Sequence, residues 1–186
     1  SPAYLKPGFT FGGSCLPKDL RALLYQSRHT DLELPVLEAI LPSNEHHLNR
    51  ALEFIVSTGK RRIGVVGLSF KPGTDDLRES PLVSLIETLL GKGFDLRIYD
   101  EEVSFSQLLG ANRRYIEDTI PHLASLMCET LDECRAHAEV IVVGKQLPNL
   151  GNYLVDHQNE NQIVLDLVRL WQQGNATVSG EQYMGI

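Results

Sequence analysis

A cysteine stands between a glycine-rich run and a helix start in Gly8-Phe9-Thr10-Phe11-Gly12-Gly13-Ser14-Cys15-Leu16-Pro17-Lys18-Asp19. That placement favours a reactive thiol. Glycines let a backbone approach a ligand closely. The positive end of a helix, with Lys18 beside it, favours thiolate over thiol. Pro17 suits a first helical turn, where an N–H has no intrahelical partner anyway. Asp19 lies four residues beyond the sulfur, one turn along a helix. There it could orient a water or hold Lys18. A lone cysteine also serves as a small buried hydrophobe, and local chemistry alone leaves the two readings level.

A second chemistry-bearing stretch is Gly67-Leu68-Ser69-Phe70-Lys71-Pro72-Gly73-Thr74-Asp75-Asp76-Leu77-Arg78-Glu79-Ser80-Pro81. It joins a short apolar strand pattern to an apolar helix pattern. Lys71 reads as a substrate cation or as a solvated loop charge. Arg78 opens a helix, where its charge opposes the helix dipole. A phosphate would explain it, and so would an ion pair with Asp75, Asp76 or Glu79. The strand–loop–helix invites a dinucleotide reading, with Asp100 as a ribose-binding acid after the next strand. The loop does not fit, because a dinucleotide fingerprint is a tight GxGxxG turn running into the helix. Here a long insertion follows Gly67. A nucleotide of another kind at the sheet's carboxyl edge fits better.

Taken together, in this order and spacing, the two segments resemble the nucleotide-sugar 6-dehydrogenases, the UDP-glucose/GDP-mannose dehydrogenase family. The second segment is closer to the GDP-mannose branch. The similarity runs from residue 4 to at least residue 145 and corresponds to the C-terminal portion of such an enzyme. The resemblance implies a four-electron oxidation of a sugar C6 alcohol to a carboxylate with two NAD as acceptors, serving mannuronate polymers such as alginate. It makes Cys15 the nucleophile that forms a thiohemiacetal and then a thioester, and Asp19 the residue that positions the hydrolytic water. By matching position, Tyr4, Lys6, Phe9, Gly12 and Lys71 contact the substrate, and Lys18 and Arg78 lie towards NAD. Ala3 and Lys6 depart from the tyrosine and arginine of the GDP-mannose branch, and a lysine loses bidentate geometry while keeping charge. Asp166-Leu167-Val168-Arg169 lacks the Gly-Arg that follows the aspartate in the UDP-glucose branch. The family's main NAD-binding domain is not in this chain, which is therefore expected to be inactive alone. Two alternatives stay open: a UDP-sugar dehydrogenase, and a non-catalytic nucleotide-sugar-binding module with a structural Cys15.

The elements that must position these residues follow from periodicity. Residues 1–17 read as a Gly/Pro-rich loop. Lys18 to Arg28 is predicted as a short helix with Leu20, Leu23 and Leu24 on one face. Val36 to Thr58 is predicted as a long helix that Pro42 kinks or splits. Strands are predicted at Arg62–Leu68, Phe94–Tyr99, Leu123–Met127, Val140–Gly144 and Ile163–Leu167. Helices are predicted at Ser80–Gly91, Val103–Leu109 and Leu131–His137, with loop or helix over Asn149–His157. Strands alternating with helices imply a parallel sheet covered on both faces. The expected fold is therefore α/β, a Rossmann-like parallel sheet preceded by a helical segment. Residues 1–59 hold the nucleophile loop and the central helices, 60–174 the nucleotide-sugar domain, and 175–186 a polar tail. The long helix resembles the family's dimerisation helix, so a homodimer or higher homo-oligomer is expected.

Bulk properties bound the rest. The 186 residues carry 42% hydrophobic and 22% charged residues, the balance of a globular protein. A formal net charge of −7 leaves no basic footprint for nucleic acid or an acidic membrane. No apolar run reaches the about 18 residues of a membrane span. Cys15, Cys128 and Cys134 are odd in number and lack metal spacing, which speaks against a disulfide framework or a metal site and for a reducing, cytoplasmic setting. Cys128 and Cys134 read as structural, and His46-His47 as surface or packing residues.

Overall fold

The computed structural model describes residues 8–69, 77–101, 123–157, 159, 161–172 and 183–185. Two helices come first: α1 (Leu16–His29) and α2 (Pro35–Ser57). An α/β layer follows, with β1 (Arg62–Val66), α3 (Pro81–Gly91), β2 (Asp95–Tyr99), α4 (Leu123–Leu126), α5 (Leu131–His137), β3 (Val140–Val143), α6 (Leu150–Asp156), β4 (Ile163–Asp166) and β5 (Tyr183–Gly185). The five strands form one sheet of order β2-β1-β3-β4-β5. Every neighbouring pair is parallel, with Val65 opposite both Ile98 and Val142.

Runs such as Val140-Ile141-Val142-Val143 make the strands apolar on both faces, as a sheet covered on both sides requires. Ile63, Val65, Val140, Val142 and Leu165 pack with Ala51 and Ile55 of α2 and with Leu82, Leu85, Ile86 and Leu89 of α3. Val66, Ile141 and Val143 face the other way, with Ala138, Leu150 and Leu154 against them. The architecture is the expected Rossmann-like one, with helices on both faces and a helical segment before it.

Four expectations change in detail. Residues 123–126 form a helical turn, and only Met127 bridges to Ile98, because the chain meets the sheet edge for one residue. Residues 183–185, read as tail, add the fifth strand beside β4. Pro42 does not split α2, which runs unbroken through it. It faces solvent, where a missing hydrogen bond is tolerated best. Leu23, expected on a packed face of α1, is 50% exposed, and Leu16, Tyr25, Leu32 and Val36 are exposed too. Among the described residues α1 packs on α2 and pairs through Arg21 with the turn before α3. The predicted helix at 103–109 lies outside the described residues.

The chain leaves β1 towards β2 on one side and returns to β3 on the other, so the strand order reverses between β1 and β3. Such a switch point opens a crevice at the carboxyl ends of the strands, where α/β folds bind ligands. In this protein an ion pair closes its floor. Lys145 Nζ lies 3.0 Å from Asp100 Oδ1, and both side chains are almost wholly buried. Gly67 adopts φ +91°, and a Cβ there would stand 2.2 Å from the Lys145 Cβ. Only glycine lets the lysine stem pass.

Candidate active site

Cys15 is the residue before α1, with φ −101° and ψ −60°, and Pro17 occupies the first turn. Its carbonyl accepts the Asp19 N–H at 2.8 Å, so the first helical hydrogen bond closes on the cysteine itself. The thiol is exposed, which removes the reading of Cys15 as a small buried hydrophobe. Ser14 Oγ lies 3.8 Å from its sulfur. Lys18 and Asp19 pair at 3.2 Å on the exposed side of the same turn. Asp19 thus holds Lys18, one of the two roles expected of it.

Three contacts hold the loop before Cys15. Asn44, in the middle of α2, accepts the Phe11 N–H at 2.9 Å and donates to the Phe11 carbonyl at 2.8 Å. Phe9 is half-buried and packs against the main core. Gly12 is buried against the turn that precedes α3, where a Cβ would sit 2.1 Å from the Glu79 carbonyl oxygen. Its lack of a side chain makes room for protein backbone at this point. Thr10 Oγ1 and His47 Nδ1, flanking the Phe11–Asn44 pair in sequence, are buried without a hydrogen-bond partner among the described residues.

The second segment is fastened at both ends. Asp100 Oδ2 accepts the N–H groups of Leu68 and Ser69 at 2.7 and 3.1 Å, while Lys145 donates to Ser69 Oγ at 3.0 Å. At the far end Ser80 Oγ donates to the Leu68 carbonyl at 3.1 Å. Asp100 is therefore an anchor for this loop. The carboxylate is already committed to two backbone amides and an ammonium. Tyr4, Lys6 and Lys71 lie outside the described residues. Arg78 is half-buried in the turn before α3, two residues ahead of the Ser80 cap, so it does not itself open the helix. Its neighbour Glu79 pairs with Arg21 of α1 at 2.6 and 3.1 Å. The Arg21 guanidinium hydrogen bonds hold the Glu79 carboxyl below its ordinary range.

The structure thus brings Cys15, Lys18, Asp19, Gly12 and Arg78 to one junction between the helical segment and the carboxyl edge of the sheet, where Arg21 and Glu79 meet. Lys145, Asn44 and Arg21 were not singled out from sequence. A buried acid ending an apolar strand demands donors, and that demand was the one available signal for Lys145.

Comparison with known proteins gives this junction a family. The UDP binding domain of the UDP-glucose/GDP-mannose dehydrogenase family matches residues 64–173, and that family's central domain matches residues 1–46. The chain belongs to the UDP-glucose/GDP-mannose dehydrogenase family. A GDP-mannose 6-dehydrogenase of Pseudomonas aeruginosa is 44% identical over 183 residues, which are 98% of this chain and 37% of that protein. The crystal structure of a ternary complex of GDP-mannose dehydrogenase from that organism superposes on all of this chain and 41% of its own, with a TM-score of 0.87 and 44% identity. A UDP-glucose dehydrogenase from Pyrobaculum islandicum follows at a TM-score of 0.70 and 26% identity, over 89% of this chain and 36% of that one. The chain spans about two fifths of the length of the GDP-mannose relatives it matches. The junction at Cys15 lies where the family's two matched domains meet.

Among the described residues no cluster of three potential metal ligands occurs, and no helix is long and apolar enough to cross a membrane. Cys134 is buried between α5 and the sheet, its sulfur 3.7 Å from the Val65 carbonyl. Burial pushes its thiol up to about 12 and raises that of Cys128 as well. Both fit a structural role, since buried thiols with raised pKa are poor nucleophiles.

Proposed function

We propose that this chain supplies the nucleophile and the nucleotide-sugar-binding domain of an NAD-dependent GDP-mannose 6-dehydrogenase, which oxidises the sugar C6 alcohol to a carboxylate. The observation that carries the reading is an exposed cysteine at the start of α1, held against the loop-bearing edge of a domain matched as nucleotide-binding.

Cys15 thiolate adds to the C6 aldehyde, forming a C–S bond while the carbonyl oxygen takes up a proton. The resulting thiohemiacetal carbon bears an oxygen, a sulfur and a hydrogen, so the adduct is again at the alcohol level and can give up a hydride. After the second oxidation, water attacks the thioester carbonyl. The C–S bond breaks, and the thiolate and a carboxylate are released. Asp19, one turn from the sulfur, is the group that orients that water. Lys18 and Arg78 are the cations suited to a pyrophosphate, and they enter this edge from the two matched domains. Tyr4, Lys6, Phe9, Gly12 and Lys71 are proposed for the substrate side, Phe9 and Gly12 by shaping the loop from within.

NAD, when bound, supplies the hydride acceptor. This sheet is not its main site: the turn after β1 is not a GxGxxG turn, and Asp100 is occupied by Leu68, Ser69 and Lys145. The activity accordingly belongs to the longer enzyme, and no NADH formation is expected from this chain alone. A role in polymers of the alginate type, and a homodimer formed through the exposed apolar residues of the helical segment, complete the reading. A UDP-sugar is the second reading, because Ala3 and Lys6 depart from the GDP-mannose pattern and leave sugar and base specificity open.

Calorimetric titration of the chain with GDP-mannose and with UDP-glucose tests the proposal. Tighter binding of GDP-mannose is expected. Tighter binding of UDP-glucose would transfer the assignment to the UDP branch, and binding of neither would refute a self-sufficient nucleotide-sugar domain.

A further inference from the structure

Glu79 touches the nucleophile segment on both sides of Cys15. Its carbonyl oxygen abuts Gly12, three residues before the cysteine, so closely that any side chain at Gly12 would overlap it. Its carboxylate takes both terminal nitrogens of Arg21, six residues after the cysteine, at 3.1 and 2.6 Å. A bidentate carboxylate–guanidinium pair fixes orientation as well as distance. Glu79 also holds φ +49°, a left-handed conformation uncommon for a residue with a side chain. Positive φ at a non-glycine position persists only where the surroundings hold it. Here it turns the carbonyl towards Gly12 while the side chain reaches α1. Two residues earlier, Leu77 is fully buried in the main core, and Ser80 bonds back to Leu68. The turn is therefore rigidly tied to the sheet edge that carries the second segment.

We propose that Glu79 and Arg21 form a positioning clamp, by which the nucleotide-sugar domain sets the place of the Cys15 thiol relative to its bound substrate. The proposal rests on the functional reading above and adds to it. Neither residue touches the reacting atoms. Their task is to hold the two matched domains in one register at the sulfur. Elsewhere the loop before Cys15 is tied to α2 through Asn44 and to the main core through Phe9, while the Glu79 carboxylate reaches the α1 side of the cysteine. The pairing of Lys18 with Asp19 is internal to α1.

The test uses the chain as it is, with two readouts on wild type, R21A, E79Q and the charge-swapped R21E/E79R. The first is amide hydrogen exchange over residues 11–19. Loss of the pair in R21A or E79Q is expected to accelerate exchange there several-fold, with the amides of β1 and β3 unchanged. Unchanged exchange over 11–19 in both variants would overturn the clamp whatever the function. Arg21 is exposed on α1, so R21A tests the pair without endangering the core. The second readout is alkylation of Cys15 by iodoacetamide, followed by mass spectrometry, with and without GDP-mannose at a concentration that saturates each variant. Bound nucleotide sugar is expected to slow alkylation of the wild type at least fivefold. In R21A and E79Q that protection is expected to fall below twofold at equal saturation, and in the swapped variant to return. Full protection in R21A and E79Q would overturn the positioning role alone. A wild type that binds GDP-mannose without protecting Cys15 would overturn the functional reading, and the positioning role with it, even where the exchange result stands.

Discussion

Replacing Lys145 by methionine keeps the length of the side chain and removes its charge from the floor of the switch-point crevice. The Lys145 and Asp100 side chains are 3% and 0% exposed, and they meet at 3.0 Å. Water therefore cannot take over the solvation of whichever charge remains. Breaking a buried pair from one side costs about 3–5 kcal/mol, far above the ~0–1 kcal/mol of a surface pair. Lys145 also gives a hydrogen bond to Ser69 Oγ, worth about 1 kcal/mol more. A domain of this size has roughly 5–15 kcal/mol of stability in total. K145M should thus lose a third or more of it. D100N should lose at least as much, because the amide must face the lysine ammonium while also serving the N–H groups of Leu68 and Ser69. The double variant K145M/D100N should be no worse than either single one, since each single change strands the other charge. Urea unfolding at neutral pH, followed by circular dichroism, reads this directly. With an m-value of ~2 kcal/mol/M, a loss of about 4–6 kcal/mol should lower the midpoint of K145M by roughly 2–3 M. A K145M loss below about 1 kcal/mol, or additive losses in the double variant, would refute the buried-pair reasoning.

Two further outcomes follow from protonation. The Glu79 carboxyl is held below its ordinary range, mainly by the hydrogen bonds from Arg21. A depressed carboxyl adds stability that is present above its unfolded pKa and is lost as pH falls through the folded value. The stability difference between wild type and E79Q should therefore begin to shrink as pH falls below about 4.3 and vanish only below the lowered folded value, and at neutral pH it should stay within ~1 kcal/mol because the pair is exposed. Acid titration of the two unfolding midpoints checks this. The Cys134 thiol, pushed by burial up to about 12, has the opposite sign. Its contribution is complete below the ordinary thiol value and declines as pH rises from there towards 12, so C134A should flatten the alkaline loss of stability. At pH 8, iodoacetamide should modify Cys15 first, Cys128 more slowly, and Cys134 only in urea, as peptide mass spectrometry would show.

The mixture of local and long-range causes explains which features could be read in advance. The central strands came from apolar runs, Val140–Val143 above all, because a strand covered on both faces reads as near-continuously apolar. The α3 and α5 helices came from 3.6-residue periodicity. Cys15 at the start of α1 came from glycines, Pro17 and Lys18, all within four residues. Each of these signals lies inside the element it describes.

Partners across the chain were not legible in that way. Arg21 and Glu79 are 58 residues apart, and Lys145 and Ser69 are 76 apart. Nothing local to Asp100 distinguishes a ribose-binding acid from a backbone anchor, since both stand at the end of a second strand. Only the closing of β3 beside β1 brings Lys145 over Gly67 and decides the matter. Likewise nothing local to Gly12 shows that the turn at Glu79, 67 residues on, packs against it. The strand at 183–185 is three residues long, too short to carry a pattern, and exists because β4 offers it an edge. Sequence by itself determined the alternation of strands and helices, the place of Cys15 beside a helix start and the likeness of two segments to one enzyme family, for these depend on neighbours in the chain. Tertiary structure alone decided which charges are buried, which backbone passes next to glycine and how the two segments meet at the thiol. Those outcomes depend on distances that no spacing along the chain encodes.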